Sequence, residues 1–67
     1  MTDKDKLAHL IHHWIEHNEA HAEEYRKWAN TAEKEGLQEV GRHIMEAIKG
    51  VDEANAALHK AMKVIKH

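Results

Sequence analysis

The sequence predicts an all-α fold, an antiparallel two-helix hairpin that dimerises into a four-helix bundle. Two long stripes of apolar residues recur at steps of three and four, which predicts two amphipathic helices, and a glycine between them predicts the turn. Proline is absent and Ala, Glu, Lys and aliphatic residues dominate, as is typical of long helices. With 67 residues the chain can form one domain at most, which we place at 1–67.

The first helix is expected to span about residues 3–35. Thr2 and Asp5 have the spacing of a capping box, in which each side chain bonds the backbone N–H of the other residue. Asn18 and His21 lie on the apolar stripe as its polar interruptions. The apolar members, whose aromatic rings we expect in a core, are Leu7, Leu10, Ile11, Trp14, Ala22, Tyr25, Trp28, Ala29 and Ala32.

Gly36 is expected to end the first helix as a left-handed residue, followed by a hydrophobic contact from Leu37. The second helix then spans about residues 37–66. Its apolar stripe keeps its phase across Gly50, so one continuous helix is preferred to a break there with Asp52 capping a third helix. The stripe consists of Leu37, Val40, Ile44, Ile48, Val51, Leu58, Met62 and Ile65.

A short turn at Gly36 fixes which residues of the two helices lie side by side. Paired residue numbers should sum to roughly 72, which sets Asn18 level with Asn55 and His13 near His59. A buried asparagine commonly fixes the register of helical bundles, and we rank that role above support of a metal-binding imidazole. Because a hairpin leaves each apolar stripe half uncovered, we expect a second copy to complete the bundle.

The main candidate site is a ladder of histidines at every fourth residue of the first helix: His9, His13, His17 and His21. Residues four apart lie one turn above each other, so two neighbouring imidazoles can hold one metal ion. The ladder winds slowly round the helix, from the exposed side at His9 to the apolar side at His21.

Two neighbouring histidines of the ladder supply two ligands, so a third metal ligand must come from another residue. The candidates are His59, Glu16, Glu24, Asp52 or a histidine of a partner chain. Cysteine is absent, which excludes disulfides and thiolate ligands. An imidazole and carboxylate set suits Ni(II) or Zn(II) first, and also Co(II) or Cu(II).

Composition excludes several other functions. The net charge of −2 is well mixed, without the basic block that would indicate nucleic-acid binding. No apolar run is long enough to span a membrane, and the N-terminus lacks a hydrophobic export segment, so we expect a cytoplasmic protein. No nucleophile–base–acid set is visible, so we do not expect an enzyme.

Two resemblances bear on function. From Asn18 to about Lys60 the chain resembles the helical hairpin of rubrerythrin and other ferritin-like proteins, through Ala22, Tyr25, Ala29, Ala32, the turn Lys34-Glu35-Gly36-Leu37 and Val40. That family implies a di-iron four-helix bundle. However, Asn18 stands near the expected glutamate and residues 51–54 contain no ExxH, so the oxidoreductase chemistry is not carried over.

The segment from His13 to His21 also resembles small, histidine-rich helical hairpins of prokaryotes that are associated with divalent metals. This resemblance and the ladder together predict a metal-binding protein that buffers, delivers or senses the ion, as a homodimer and with a metal-trafficking partner as one option. The alternatives are a structural or oligomerisation module with pH-sensitive histidines, and a diverged ferritin-like di-metal oxidoreductase.

Overall fold

The computed structural model describes residues 2–65 and shows two helices packed side by side, α1 (Asp3–Lys34) and α2 (Gln38–Ile65). The predicted antiparallel hairpin is therefore confirmed, and α2 runs through Gly50 without a break. The predicted end of the second helix, at Lys66, lies outside the described residues. Across 2–65, neither helix has a stretch apolar enough to cross a membrane.

Local hydrogen bonds fix both ends of α1. Thr2 Oγ1 accepts from the Asp5 backbone N–H at 3.2 Å, and Asp5 Oδ2 accepts from the Thr2 N–H, so the predicted capping box is present. At the other end Gly36 has φ +80°. The Leu37 N–H bonds the Ala32 carbonyl at 2.8 Å and the Gly36 N–H bonds the Glu33 carbonyl at 3.1 Å, which is a Schellman motif.

Glycine also sets how closely the helices approach beside this turn. Gly41 is buried, and a Cβ built on it would lie 3.1 Å from the Ala29 carbonyl oxygen and 3.3 Å from Glu33 Cγ. A Cβ at Gly50 would meet nothing within 4 Å. A methyl group at position 41 would therefore force its neighbours to move by a few tenths of an ångström, whereas position 50 has room for one.

The core between the helices is thin and consists of small and aliphatic side chains. Its buried apolar members are Ile11, Ile15, Ala22, Ala29, Ala32 and Ile48. As expected for a hairpin that leaves each stripe half uncovered, Leu7, Trp14 and Trp28 are 45, 43 and 53% exposed in the single chain. The apolar surface of α1 therefore consists of two adjacent faces, of which α2 covers one.

A polar contact fixes the register of this core. Asn55 is 8% exposed, and its Oδ1 accepts from Asn18 Nδ2 at 2.9 Å. Asn55 Nδ2 donates to the Ile15 carbonyl at 3.2 Å. The predicted pairing of Asn18 with Asn55 is confirmed, and within residues 2–65 no buried side-chain nitrogen or oxygen lacks a partner.

Candidate metal centre

Four rings form a continuous row along α1. The centroids of His13 and His17 lie 6.0 Å apart with an interplanar angle of 23°, and those of His17 and His21 lie 4.4 Å apart at 84°. Tyr25 extends the row, with its ring centroid 6.0 Å from that of His21. The row follows from the helix itself, since a side chain four residues further on lies almost directly above the one before it.

His17 and His21 bring two ring nitrogens together. Their Nε2 atoms are 2.9 Å apart, a hydrogen bond in which one ring donates and the other accepts. Two imidazole nitrogens bound to one ion at about 2.0–2.1 Å lie about 2.9 Å apart at a 90° angle and about 3.3 Å apart at the tetrahedral angle. An ion could therefore replace the shared proton once both rings rotate, so that their Nε2 lone pairs point to one position beside the line that joins the two nitrogens.

Both rings of this pair are exposed to solvent in the single chain. His21 lies on the apolar side of α1, as predicted, but on the face that α2 leaves uncovered and not on the face that contacts Asn55. Neither ring packs in the core between the helices, so each is accessible to an ion. Two imidazoles supply only half of a tetrahedral set, which leaves coordination positions open.

The other predicted ligands do not join this pair. Glu16 Oε1 lies 2.6 Å from His12 Nε2, on a different side of α1 from the row of rings. His9 is exposed near the start of the helix, and His59 is exposed on α2. Among residues 2–65 no three His, Asp or Glu side chains converge as a metal site, so Glu24 and Asp52 do not complete one either.

The asparagine layer is separate from the imidazoles. Asn18 and Asn55 bond each other and the Ile15 carbonyl, all within the interface between α1 and α2. Their amides are thereby used for helix pairing, which favours the register role over support of an imidazole. The layer does hold the middle of α1, and hence the backbone under His17 and His21, firmly against α2.

Sequence reasoning omitted Ile15 from the apolar stripe, although it is buried at 6% exposure. Its position four residues after Ile11 carried the signal, because both lie on one side of a helix. With Ile15 included, the covered face is centred near Asn18, and Trp14 and Trp28 fall on the second face.

Comparison with known proteins adds a family. Residues 7–65 match a family described as a domain of unknown function, DUF8180. The chain belongs to the DUF8180 family. An uncharacterized protein of Archaeoglobus fulgidus is 31% identical over 61 residues, which cover 91% of this DUF8180 chain and 97% of that protein. No solved structure matches.

Proposed function

We propose that this protein is a non-enzymatic binder of a divalent transition metal, and that His17 and His21 are the primary ligands. The observation that carries the proposal is the 2.9 Å distance between their Nε2 atoms, which is close to the separation of two nitrogens on one ion. Nitrogen ligands without thiolates favour Ni(II), Zn(II), Co(II) or Cu(II).

Exposure of the pair suits exchange of the ion with other molecules. Both rings are open to solvent, and the described residues supply no third protein ligand. Metal would therefore bind and leave without unfolding the hairpin, as buffering, delivery or sensing requires. A bound ion would also stabilise the fold, because it binds the folded arrangement of the two rings more tightly than the unfolded chain.

Calorimetric titration with Ni(II) and with Zn(II), on protein purified without a histidine tag, tests the proposal. We expect saturable binding at neutral pH that weakens on acidification, because a protonated imidazole cannot bind metal. His17→Ala and His21→Ala should each weaken binding at least about tenfold, or about 1.4 kcal/mol. His12→Ala is the matched control, since His12 is also exposed on α1 but contacts Glu16.

Two results would reject the proposal. One is the absence of binding heat with either metal. The other is equal weakening by His12→Ala and His17→Ala, which would mean that any surface histidine serves. His13→Ala should have a smaller effect than His17→Ala, because the ring centroids of His13 and His17 are 6.0 Å apart against 4.4 Å for His17 and His21.

A structural or oligomerisation module is the second candidate, and the uncovered apolar face favours it. Trp14, Tyr25 and Trp28 are 43, 37 and 53% exposed, and exposed apolar patches of this kind mark interaction surfaces. This candidate predicts an assembly that persists with a chelator and depends on pH alone. It is compatible with metal binding, since a homodimer that completes a four-helix bundle could serve both purposes.

A further inference from the structure

The uncovered apolar faces of the two helices lie on the same broad side of the hairpin. On α1, at about 100° per residue, the exposed apolar residues are centred roughly a quarter turn from those that α2 covers. On α2 a similar rotation leads from the buried Ile48 and Asn55 to the half-exposed Val51 and Leu58. Because the helices are antiparallel, both rotations lead to one side, which we call the open side.

The histidine pair lies at the middle of the open side of α1. Along the axis of α1, residue 19 lies halfway between His17 and His21. It also lies halfway between Leu10 and Trp28. An antiparallel copy of α1 packed about a two-fold axis at this level would place Leu10 on Trp28 and His17 on His21 of the second copy. The surface is therefore complementary to itself, as an isologous interface requires.

The exposed small residues on the open side of α2 are also arranged symmetrically about one position. Ala47 and Ala61 are exposed there, seven residues on either side of the exposed Ala54. Small residues allow two helices to approach closely, so this region is suited to contact with a second α2. A two-fold axis at the level of residue 54 would pair Ala54 with its own copy and Ala47 with Ala61.

The two centres lie at one height in the hairpin. The hydrogen bond from Asn18 to Asn55 sets those residues level, and in an antiparallel pair residue 19 is then level with residue 54. One two-fold axis perpendicular to the helices therefore passes through both centres. The pattern on α1 and the pattern on α2 are independent of each other, so their agreement argues for this particular arrangement.

We infer that the metal site is completed by a second copy of this chain, with His17 and His21 of both copies around one two-fold axis. This inference rests on the proposed metal-binding function and adds the missing ligands, the symmetry and the register. Four imidazoles then surround one ion, which satisfies a tetrahedral or square-planar set without any carboxylate. The same register brings His13 near Glu24 of the second copy, a pairing of favourable charge when the imidazole is protonated.

The open side is large enough for a stable dimer. The hairpin measures 51 × 17 × 11 Å, so its broad side projects roughly 870 Å², and a standard interface buries about 800 Å² per partner. A second copy is also the occupant that matches the internal symmetry of the surface. The surface of an unrelated protein would not be expected to share a two-fold centre level with both residue 19 and residue 54.

A single cysteine tests the register without any metal, since the chain has none of its own. Ala54→Cys places two thiols on the proposed axis, and mild oxidation with a chelator present should give a covalent dimer. Ala56→Cys is the matched control, because Ala56 is also exposed on α2 but faces away from the open side. Equal dimer yields from the two variants, or no dimer from Ala54→Cys, would overturn the register.

Titration with Ni(II) or Zn(II) alone, combined with analytical ultracentrifugation, tests the shared site. We expect one ion per two chains, a dimer at saturation, and loss of this binding in both His17→Ala and His21→Ala. One ion per monomer, lost in the same variants, would overturn the shared site and leave the proposed function intact. Absence of metal binding would overturn both, while the cysteine result would still report whether the open side is a dimer interface.

Discussion

Replacement of the buried amide pair offers a quantitative test of how the hairpin is held in register. Asn55→Ala removes the bonds to Asn18 and to the Ile15 carbonyl, at about 1 kcal/mol each. Alanine returns about 0.6 kcal/mol through its higher helix propensity. The free energy of unfolding should therefore fall by about 1.5 kcal/mol, a readily measured part of the roughly 3–10 kcal/mol expected for a chain of this size.

Asn18→Ala should cost a similar amount for a different reason. It removes one hydrogen bond and leaves Asn55 Oδ1 buried without a donor, at about 1–3 kcal/mol in all. Once Asn55 is alanine, however, Asn18→Ala has no contact left to remove. The double variant should then lose no more than either single variant, which corresponds to a coupling energy of about 1–2 kcal/mol.

Urea unfolding followed by far-ultraviolet circular dichroism measures all four proteins of this cycle, at one fixed protein concentration because association would shift the midpoint. Asn30→Ala is the control, since Asn30 is an exposed asparagine on α1, and it should gain a few tenths of a kcal/mol from helix propensity alone. Additive losses in the double variant would show that the amides do not act as a pair, and the reasoning would fail.

Three further predictions concern the backbone, each measured by thermal or urea unfolding. Gly36→Ala should destabilise by about 1 kcal/mol, because φ +80° is costly for any residue with a Cβ, and Gly36→Asn should lose less. Gly50→Ala should gain up to about 1 kcal/mol, and Gly41→Ala should be clearly less favourable than Gly50→Ala, because its Cβ would lie 3.1 Å from the Ala29 carbonyl oxygen and would force a neighbour to move; an equal gain at both positions would contradict the packing. Thr2→Ala should cost about 1 kcal/mol by opening the capping box, and Thr2→Ser should restore most of it.

The fold could be predicted from the sequence because local signals agreed with one another. Thr2 and Asp5 marked the start of α1, and Gly36 marked its end. A turn this short limits the antiparallel pairing to a narrow range of registers, so the position of Gly36 also predicted the contact between Asn18 and Asn55. Each of these features depends on backbone chemistry within a few residues, which a sequence shows directly.

The sequence did not show how the apolar stripe of α1 divides into a covered and an uncovered face. A stripe more than about 100° wide is compatible with one deep core or with two shallow contacts. The choice depends on how α2 lies across α1, which depends on contacts between residues far apart in the sequence, such as the close approach of Gly41 to Ala29. Trp14 and Trp28 lie on the half of the stripe that α2 leaves uncovered in the single chain, and which residues make up that half became clear only from the packing of the helices.

The candidate site was predicted in part. The spacing of four residues predicted that His17 and His21 lie together, and their Nε2 atoms are 2.9 Å apart. The same spacing also placed Glu16 next to His12, four residues before it, but we had assigned Glu16 to the histidine ladder instead. Spacing could not place His59, which is on another helix and is exposed.

The Schellman turn has a consequence for changes in chain length. The two helices are separated by three residues, Glu35, Gly36 and Leu37. Backbone hydrogen bonds fix the conformation of this turn. Insertion or deletion of one residue there would break these bonds, change how α2 pairs with α1 and move Asn55 away from its partner. Surface loops usually absorb such changes, but in this protein natural variation in length should be confined to the ends of the helices far from the hairpin bend.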